Sequence, residues 1–296
     1  MSSRKQRIGM IGLGLMGSAF VTRLLECDFE VCAFDLDADK VDEAVKLGVS
    51  PARNAREVAQ SCDIVLVCVV STQAVRDVVL GVDGVASGAG NNTLVIDLST
   101  TVVADTVEVA ALLEGRSGAG WIDAPVSGGP PAARGGTLAV MAGGSLENIN
   151  KARPVMDTLA ATFTHMGEIG AGQTTKMINQ VLVLNNYAVL AEACALAEAG
   201  GIDAAKIPAA LGSGHAGSRL LDAMFPRLIA RDFAPAGYAR QVLKDLDMVQ
   251  DLARSVKVPT PMTAQATSLF RLLVSKGHGE LDGIAVLKLF APDEHV

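Results

Sequence analysis

In the first half of the chain, short apolar runs alternate with stretches of helical periodicity. Arg7–Ile11, Glu30–Phe34, Asp63–Val70 and Thr93–Leu98 read as strands. The third, DIVLVCVV, has no polar residue after its first, as a strand buried on both faces requires. Helices are predicted between them at about Ser18–Cys27, Ala38–Leu47, Ala55–Gln60 and Thr72–Leu80, and from Ser99-Thr100 to about Glu114. Gly120–Ala124 and Gly136–Gly143 follow as strands, the second expected antiparallel at the far side of the sheet. A helix opens at Ser145 and is expected to kink or end at Pro154, and Thr164–Met166 is a last short strand. From Gly170 the pattern becomes helical throughout. Gln173–Ala199 holds no Gly or Pro, and its apolar residues run nearly all the way round, which predicts one long buried helix ending at Gly200-Gly201. Lys176, Asn179, Gln180, Asn185, Asn186 and Glu192 interrupt it too often for a bilayer span. Further helices are predicted at about Ala204–Leu211, Ser218–Arg231 with a kink at Pro226, Gly237–Val256, Thr263–Lys276 and Gly283–Phe290. The fold class is therefore α/β: an N-terminal Rossmann doubly wound sheet over residues 1–167 and an all-helical domain over 168–296, joined by the long helix.

Composition narrows the function classes. Half of the 296 residues are hydrophobic, so a large core is easily built. The net charge is −7, no long basic run occurs and aromatics are scarce, which argues against nucleic acid and anionic membrane as partners. Five cysteines form no CxxC pair and read as reduced core residues of a cytoplasmic protein. Four scattered histidines offer no metal-ligand spacing, so no metal is expected. The polar MSSRKQR runs straight into a strand, with no sign of a signal peptide.

The first strand runs into Gly12-Leu13-Gly14-Leu15-Met16-Gly17, a helix follows, and the second strand ends at Asp35, eighteen residues past Gly17. This is the dinucleotide fingerprint in its required context. Gly12 permits the tight turn, Gly14 the approach of the pyrophosphate, and Gly17 close packing of helix on strand. The helix N-terminus offers N–H donors to the phosphates. Asp35 should accept from the ribose hydroxyls and repel a 2′-phosphate, so NAD is favoured over NADP, with Lys40 a complication. Val69, Val70 and Thr100 stand at strand ends facing the ligand crevice, although Thr100 equally fits a helix N-cap. Pro125–Pro131, with Ser127, Gly128 and Gly129, reads either as a cradle for a carboxylate or as a Pro/Gly turn with a capping serine. Lys176, Asn179 and Gln180 share one face near the start of the long helix. A buried Lys176 at a positive helix end should have its pKa lowered toward acid/base work; the alternative is a lysine snorkelling to the surface. Lys244 lies among apolar positions, where a surface ion pair with Asp247 at i+3 is the plain reading.

Together these residues resemble the β-hydroxyacid dehydrogenase family. GLGLMG at 12–17 looks like its cofactor turn and DLST at 97–100 its second cofactor segment. DAPVSGGPPAARGGTLAVMAGG at 123–144 is similar to its substrate-carboxylate motif, GAGQTTKMINQ at 170–180 to its catalytic motif, and LKDLDM at 243–248 to its C-terminal lysine segment. The resemblance implies an NAD-dependent enzyme, with NADP possible, that interconverts a small 3-hydroxy acid and its semialdehyde. Ser127, Gly128 and Gly129 would hold the substrate carboxylate, and Lys176 would act as general acid/base. Asn179 or Gln180 would orient the substrate, and Lys244 would lie near the nicotinamide or the carboxylate. The family often has Asn four residues after the lysine; Gln180 stands there, preceded by Asn179. KxxNQ is similar to the tartronate semialdehyde reductase and L-threonate dehydrogenase branches, and the GHAGSRL stretch at 214–220 looks like the reductase branch. Substrates related to 3-hydroxyisobutyrate or 4-hydroxybutyrate are alternatives, as is a homodimer or a homotetramer. A catalytically silent NAD-binding module should lack the lysine or the carboxylate loop, and both are present.

Overall fold

The computed structural model describes residues 7–291. The polar segment before Arg7, in which no signal peptide was read, lies outside them. The chain forms two compact units, Met1–Lys176 and Met177–Val296.

The first unit is built on a nine-stranded sheet. In chain order it comprises β1 (Arg7–Ile11), α1 (Leu15–Glu26), β2 (Glu30–Phe34), α2 (Ala38–Lys46), β3 (Ser50–Pro51), α3 (Ala55–Ser61), β4 (Ile64–Val67), α4 (Thr72–Leu80), β5 (Leu94–Asp97), α5 (Val103–Ser117), β6 (Gly120–Asp123), β7 (Val126–Ser127), α6 (Gly129–Arg134), β8 (Leu138–Gly143), α7 (Leu146–Leu159) and β9 (Ala160–Gly167). The sheet order is β3-β2-β1-β4-β5-β6-β8-β7, with β9 on β8. The first six strands in that order are parallel, β8 runs antiparallel to β6 and β7, and β9 runs parallel to β8. This is the doubly wound Rossmann order, and its strand order reverses between β1 and β4, where such sheets bind ligands.

Period-two alternation along the central strands feeds two separate cores. Ile8, Met10, Ile64, Leu66, Leu94 and Ile96 pack with Phe20 and Leu24 of α1 and with Val155 and Met156 of α7. Ile11, Val65, Val67 and Val95 point the other way, onto Val58 of α3, Val79 of α4 and Leu113 of α5. Strands buried on both faces must be apolar throughout, which is why Ile64–Val67 reads as it does; the expected strand Asp63–Val70 is shorter, because residues 68–70 leave the sheet and Val70 is exposed.

Helix α8 (Ala171–Ala199) starts in the first unit and continues into the second. There follow α9 (Ile207–Leu211), α10 (Arg219–Ile229), α11 (Ala239–Ser255), α12 (Pro261–Leu273) and a 3-10 helix at Gly283–Leu289. Their core gathers Leu184, Leu190 and Cys194 of α8 with Phe225, Leu246, Phe270 and Ile284.

Several expectations are corrected. Ser99 and Thr100 do not open a helix: α5 starts at Val103 with Val102 as its cap, because Ser99 and Thr101 are tied to the carboxylate of Asp97. Of the two expectations for Pro154, a kink or an end, the end is not seen: α7 runs on to Leu159. Pro154 and Asn150, whose carbonyl loses its intrahelical donor, are both exposed, where water can take the place of the missing N–H. The Pro125–Pro131 stretch contains a short strand and a helical turn, with Pro130 and Pro131 at its first positions, where a missing N–H costs nothing. Helix α8 is not buried all round. Long and apolar enough by composition to cross a membrane, it buries one face in the core described above while Ile178, Leu182, Val189 and Leu196 are exposed in the single chain.

Phe20 and Phe225 are fully buried, one in each unit. Replacing either by alanine should cost about 3–5 kcal/mol, seen as a lowered urea midpoint. Leu36→Ala, at a side chain 90% exposed, should stay within about 0.5 kcal/mol.

Candidate active site

The glycine turn after β1 is built by close backbone approach. Gly12 has φ +94°, and a side chain there would collide with the Cys68 carbonyl oxygen. A side chain at Gly17 would collide with the carbonyl of Gly12, so α1 packs on β1 only with glycine at that point. Gly14 differs: it is the N-cap of α1, no side chain caps the helix, and a Cβ there would meet nothing within 4 Å. Uncapped N–H groups, a positive helix end and open space fit a pyrophosphate. Leu13 packs its side chain into the core, and its N–H goes to Asp35 Oδ2 at 2.6 Å, so it shapes the turn. Leu15 is exposed and Met16 half-buried beside it.

Asp35, one residue past β2, also accepts from the Asp37 N–H at 2.9 Å through Oδ1. Each oxygen keeps a lone pair for a ribose hydroxyl. Lys40 Nζ lies 3.3 Å from Asp37 and 3.9 Å from Asp35. Val69 donates its N–H to Ser99 Oγ at 3.0 Å, and Val70, just beyond β4, is 65% exposed. Thr100 is half-buried in the segment after β5. The strand-end residues, the turn and Asp35 therefore fit a dinucleotide along the carboxyl edge of the sheet.

Ser127 ends β7, paired with Ala139 of β8. Gly128 and Gly129 follow with φ of +131° and +69°, a backbone that residues with a side chain rarely adopt. Lys176 is only 8% exposed, and its Nζ donates to the Val126 carbonyl at 2.8 Å. The fold thus brings Lys176 beside the Ser127–Gly129 loop, about 50 residues away in sequence. The lysine does not snorkel.

Three neighbours were not singled out from the sequence. Asp123 ends β6 and is fully buried, and its two oxygens accept the N–H groups of Gly170 and Gln173, each at 2.8 Å. Gln173, also fully buried, donates through Nε2 to the Ser99 carbonyl at 2.8 Å and accepts from the Thr101 N–H at 3.1 Å. Asp97 ends β5 in register with Asp123 and accepts from the Ser99 N–H at 2.9 Å. Burial pushes the Asp97 carboxyl up to about 7, with the Asp123 charge adding to the rise and hydrogen bonds from Ser99 and Thr101 opposing it. Burial likewise lifts Asp123 to about 6 against hydrogen bonds from the start of α8. An acid closing an otherwise apolar strand was the signal in the sequence.

In the second unit, Asn179 Nδ2 donates to Gln180 Oε1 at 2.9 Å, and Gln180 Nε2 to Asp245 Oδ2 at 2.5 Å. Lys244 Nζ lies 3.1 Å from Asp245 Oδ1. Asp247, the acid at i+3 from Lys244, is held by Arg271 of α12 at 2.6 Å. Among the described residues, no group of three His, Cys, Asp or Glu could hold a metal ion.

Residues 7–167 match the family described as the NAD binding domain of 6-phosphogluconate dehydrogenase. Residues 170–290 match the family described as NAD-binding of NADP-dependent 3-hydroxyisobutyrate dehydrogenase. The NAD-dependent L-serine dehydrogenase of Pseudomonas aeruginosa is 34% identical over 98% of this chain and 99% of its own. The chain belongs to the β-hydroxyacid dehydrogenase family. It is similar to two further β-hydroxyacid dehydrogenases. The 2-hydroxy-3-oxopropionate reductase of Escherichia coli is 30% identical over 95% of this chain and 96% of its own. The crystal structure of 3-hydroxyisobutyrate dehydrogenase from Salmonella typhimurium superposes with a TM-score of 0.88 at 31% identity, covering 97% of this chain and all of that one. The protein is thus an NAD(P)-dependent oxidoreductase of a family whose members act on varied small hydroxy acids.

Gly12→Ala should weaken NADH binding by about 5- to 150-fold, the worth of a strain of about 1–3 kcal/mol at this backbone; fluorescence titration of NADH measures it. The buried acids set a pH signature. Asp97 holds its proton more tightly folded than unfolded, so it contributes stability below about pH 4 that is lost as pH rises toward its folded value of about 7. Asn at position 97 can still accept from Ser99 without titrating. The urea stability of Asp97→Asn relative to wild type should therefore rise between pH 4 and pH 7.

Proposed function

We propose that this enzyme reduces tartronate semialdehyde to glycerate with NADH, with Lys176 as general acid and, in reverse, general base. The observation that carries the reading is the 2.8 Å hydrogen bond from Lys176 Nζ to the Val126 carbonyl, one residue before Ser127. A substrate carboxylate held by the Ser127 hydroxyl and the Gly128 and Gly129 backbone would present its carbonyl carbon to the cofactor and its carbonyl oxygen to the ammonium group. NADH, when bound, supplies the hydride. Lys176 gives a proton to the carbonyl oxygen during reduction and takes it from the hydroxyl during oxidation. Asn179 and Gln180, on the same helix, would hold the substrate hydroxyls. Asp245 fixes the Gln180 amide in that task, and Lys244 in turn is steadied by Asp245.

Asp35, with no arginine after it, supports NAD over NADP, while Lys40 leaves room for weaker use of NADP. KxxNQ, GHAGSRL and the likeness to the E. coli reductase support tartronate semialdehyde as the substrate. The exposed apolar side chains of α8 support a homo-oligomer, and five free cysteines support a cytoplasmic setting.

The test is NADH oxidation across a panel of semialdehydes, with L-serine and 3-hydroxyisobutyrate oxidation run alongside and NADPH as a second cofactor. Fast turnover of tartronate semialdehyde is the expected result; preference for L-serine or a methyl-bearing substrate would move the enzyme to a sister branch. Lys176→Ala should lower kcat by about 10² to 10⁴ with NADH affinity unchanged. Ser127→Ala should raise KM by about 10- to 100-fold, the worth of a hydrogen bond to a charged group.

A further inference from the structure

Helix α8 begins at Ala171, so Gly170 is its N-cap and Gln173 its third residue. Glycine at the cap has no side chain to satisfy the free N–H groups of the first turn. The acceptor comes instead from another element. One carboxylate, Asp123 at the end of β6, takes the cap N–H of Gly170 through Oδ1 and the N–H of Gln173 through Oδ2, both at 2.8 Å. In an ordinary capping box those two amides are served by two side chains of the helix itself. Here a single group 47 and 50 residues upstream serves both, so the helix start and the strand end cannot shift independently.

The packing leaves no slack. A side chain at Gly172 would collide with the carbonyls of Asp123 and Met141, and one at Gly143 would lie 2.5 Å from Asp123 Oδ1. Gln173 then clamps the Ser99–Thr101 segment with both ends of its amide. Ser99 in turn receives the N–H of Val69. Lys176 follows Gln173 by three residues, within one turn, and its Nζ meets the Val126 carbonyl.

We propose that Asp123 is the positioning residue for Lys176: by capping α8 from the end of β6, it holds the turn that carries the lysine against the Val126–Gly129 loop. The inference rests on the reading of Lys176 as general acid/base. An error of about 1 Å in such a group can cost about 100-fold in rate.

The variant is Asp123→Asn. Its single carbonyl oxygen can accept from one of the two amides, and its NH2 faces the other as a second donor. Hydrogen–deuterium exchange is measured on the segment 169–177 in wild type and variant, together with NADH affinity, kcat and KM. The expected result is protected Gly170 and Gln173 amides in wild type. The variant should show at least about tenfold faster exchange confined to that segment, kcat about 10- to 100-fold lower, and KM and NADH affinity within about twofold. A general structural defect would instead weaken NADH binding and speed exchange throughout. Faster exchange with kcat unchanged overturns the positioning role. Unchanged exchange in the variant, or unprotected Gly170 and Gln173 amides in wild type, overturns the cap itself; the wild-type measurement decides this even where the variant does not fold. Lys176→Ala serves as the control: its retained turnover would overturn the catalytic reading, whereas the exchange data report on the cap alone.

Discussion

The start of α8 rests on a buried carboxylate whose two oxygens are taken by backbone N–H groups. Asp123 gives up its water and receives, in exchange, the N–H groups of a helix whose own cap is a glycine. Each partner would be costly alone: an unpaired carboxylate in a dry site, or a helix end with unsatisfied donors. Together they satisfy one another and fix the distance between the sheet edge and the helix. Gly143 and Gly172 are small because that distance leaves no volume between strand end and helix.

The same edge organises the cofactor segment. Gln173 is wholly buried and uses both ends of its amide on Ser99 and Thr101, and Ser99 also takes the Val69 N–H. These contacts therefore tie the strand ends of β4 and β5 to the first turn of α8, and the glycine turn after β1 lies against the end of β4. Buried acids carry a cost at neutral pH, as the raised values of Asp97 and Asp123 record, and proteins often retain such cost at sites where geometry matters.

Much of the fold was legible because its physics is local. Strands β1, β2 and β4 are apolar runs bounded by glycine turns or acids, and the α/β alternation allows few other arrangements. The glycine spacing, with Asp35 at the end of the second strand, pointed to a dinucleotide before any coordinates. The misreadings arose where a tertiary partner overrode a local signal. Ser99 and Thr100 look like a helix cap, but Ser99 was already committed to Asp97 and Val69. Pro154 allowed a kink or a stop, and at its exposed position the helix runs on. Lys244 and Asp247 have the spacing of an ion pair, and Arg271 of another helix also reaches the acid.

The sequence by itself determined the fold class, the family and the dinucleotide chemistry, because periodicity, glycine spacing and contiguous motifs are written along the chain. It also supplied the lysine and the serine-glycine loop as separate stretches. Only the tertiary structure decided that Lys176 is buried with its amine on the Val126 carbonyl, that Asp123 caps a helix from another strand, and that Gln180 answers to Asp245. Those contacts join residues roughly 50 to 65 positions apart, and no local propensity encodes a partner at that separation; packing of the sheet edge and the helices selects it.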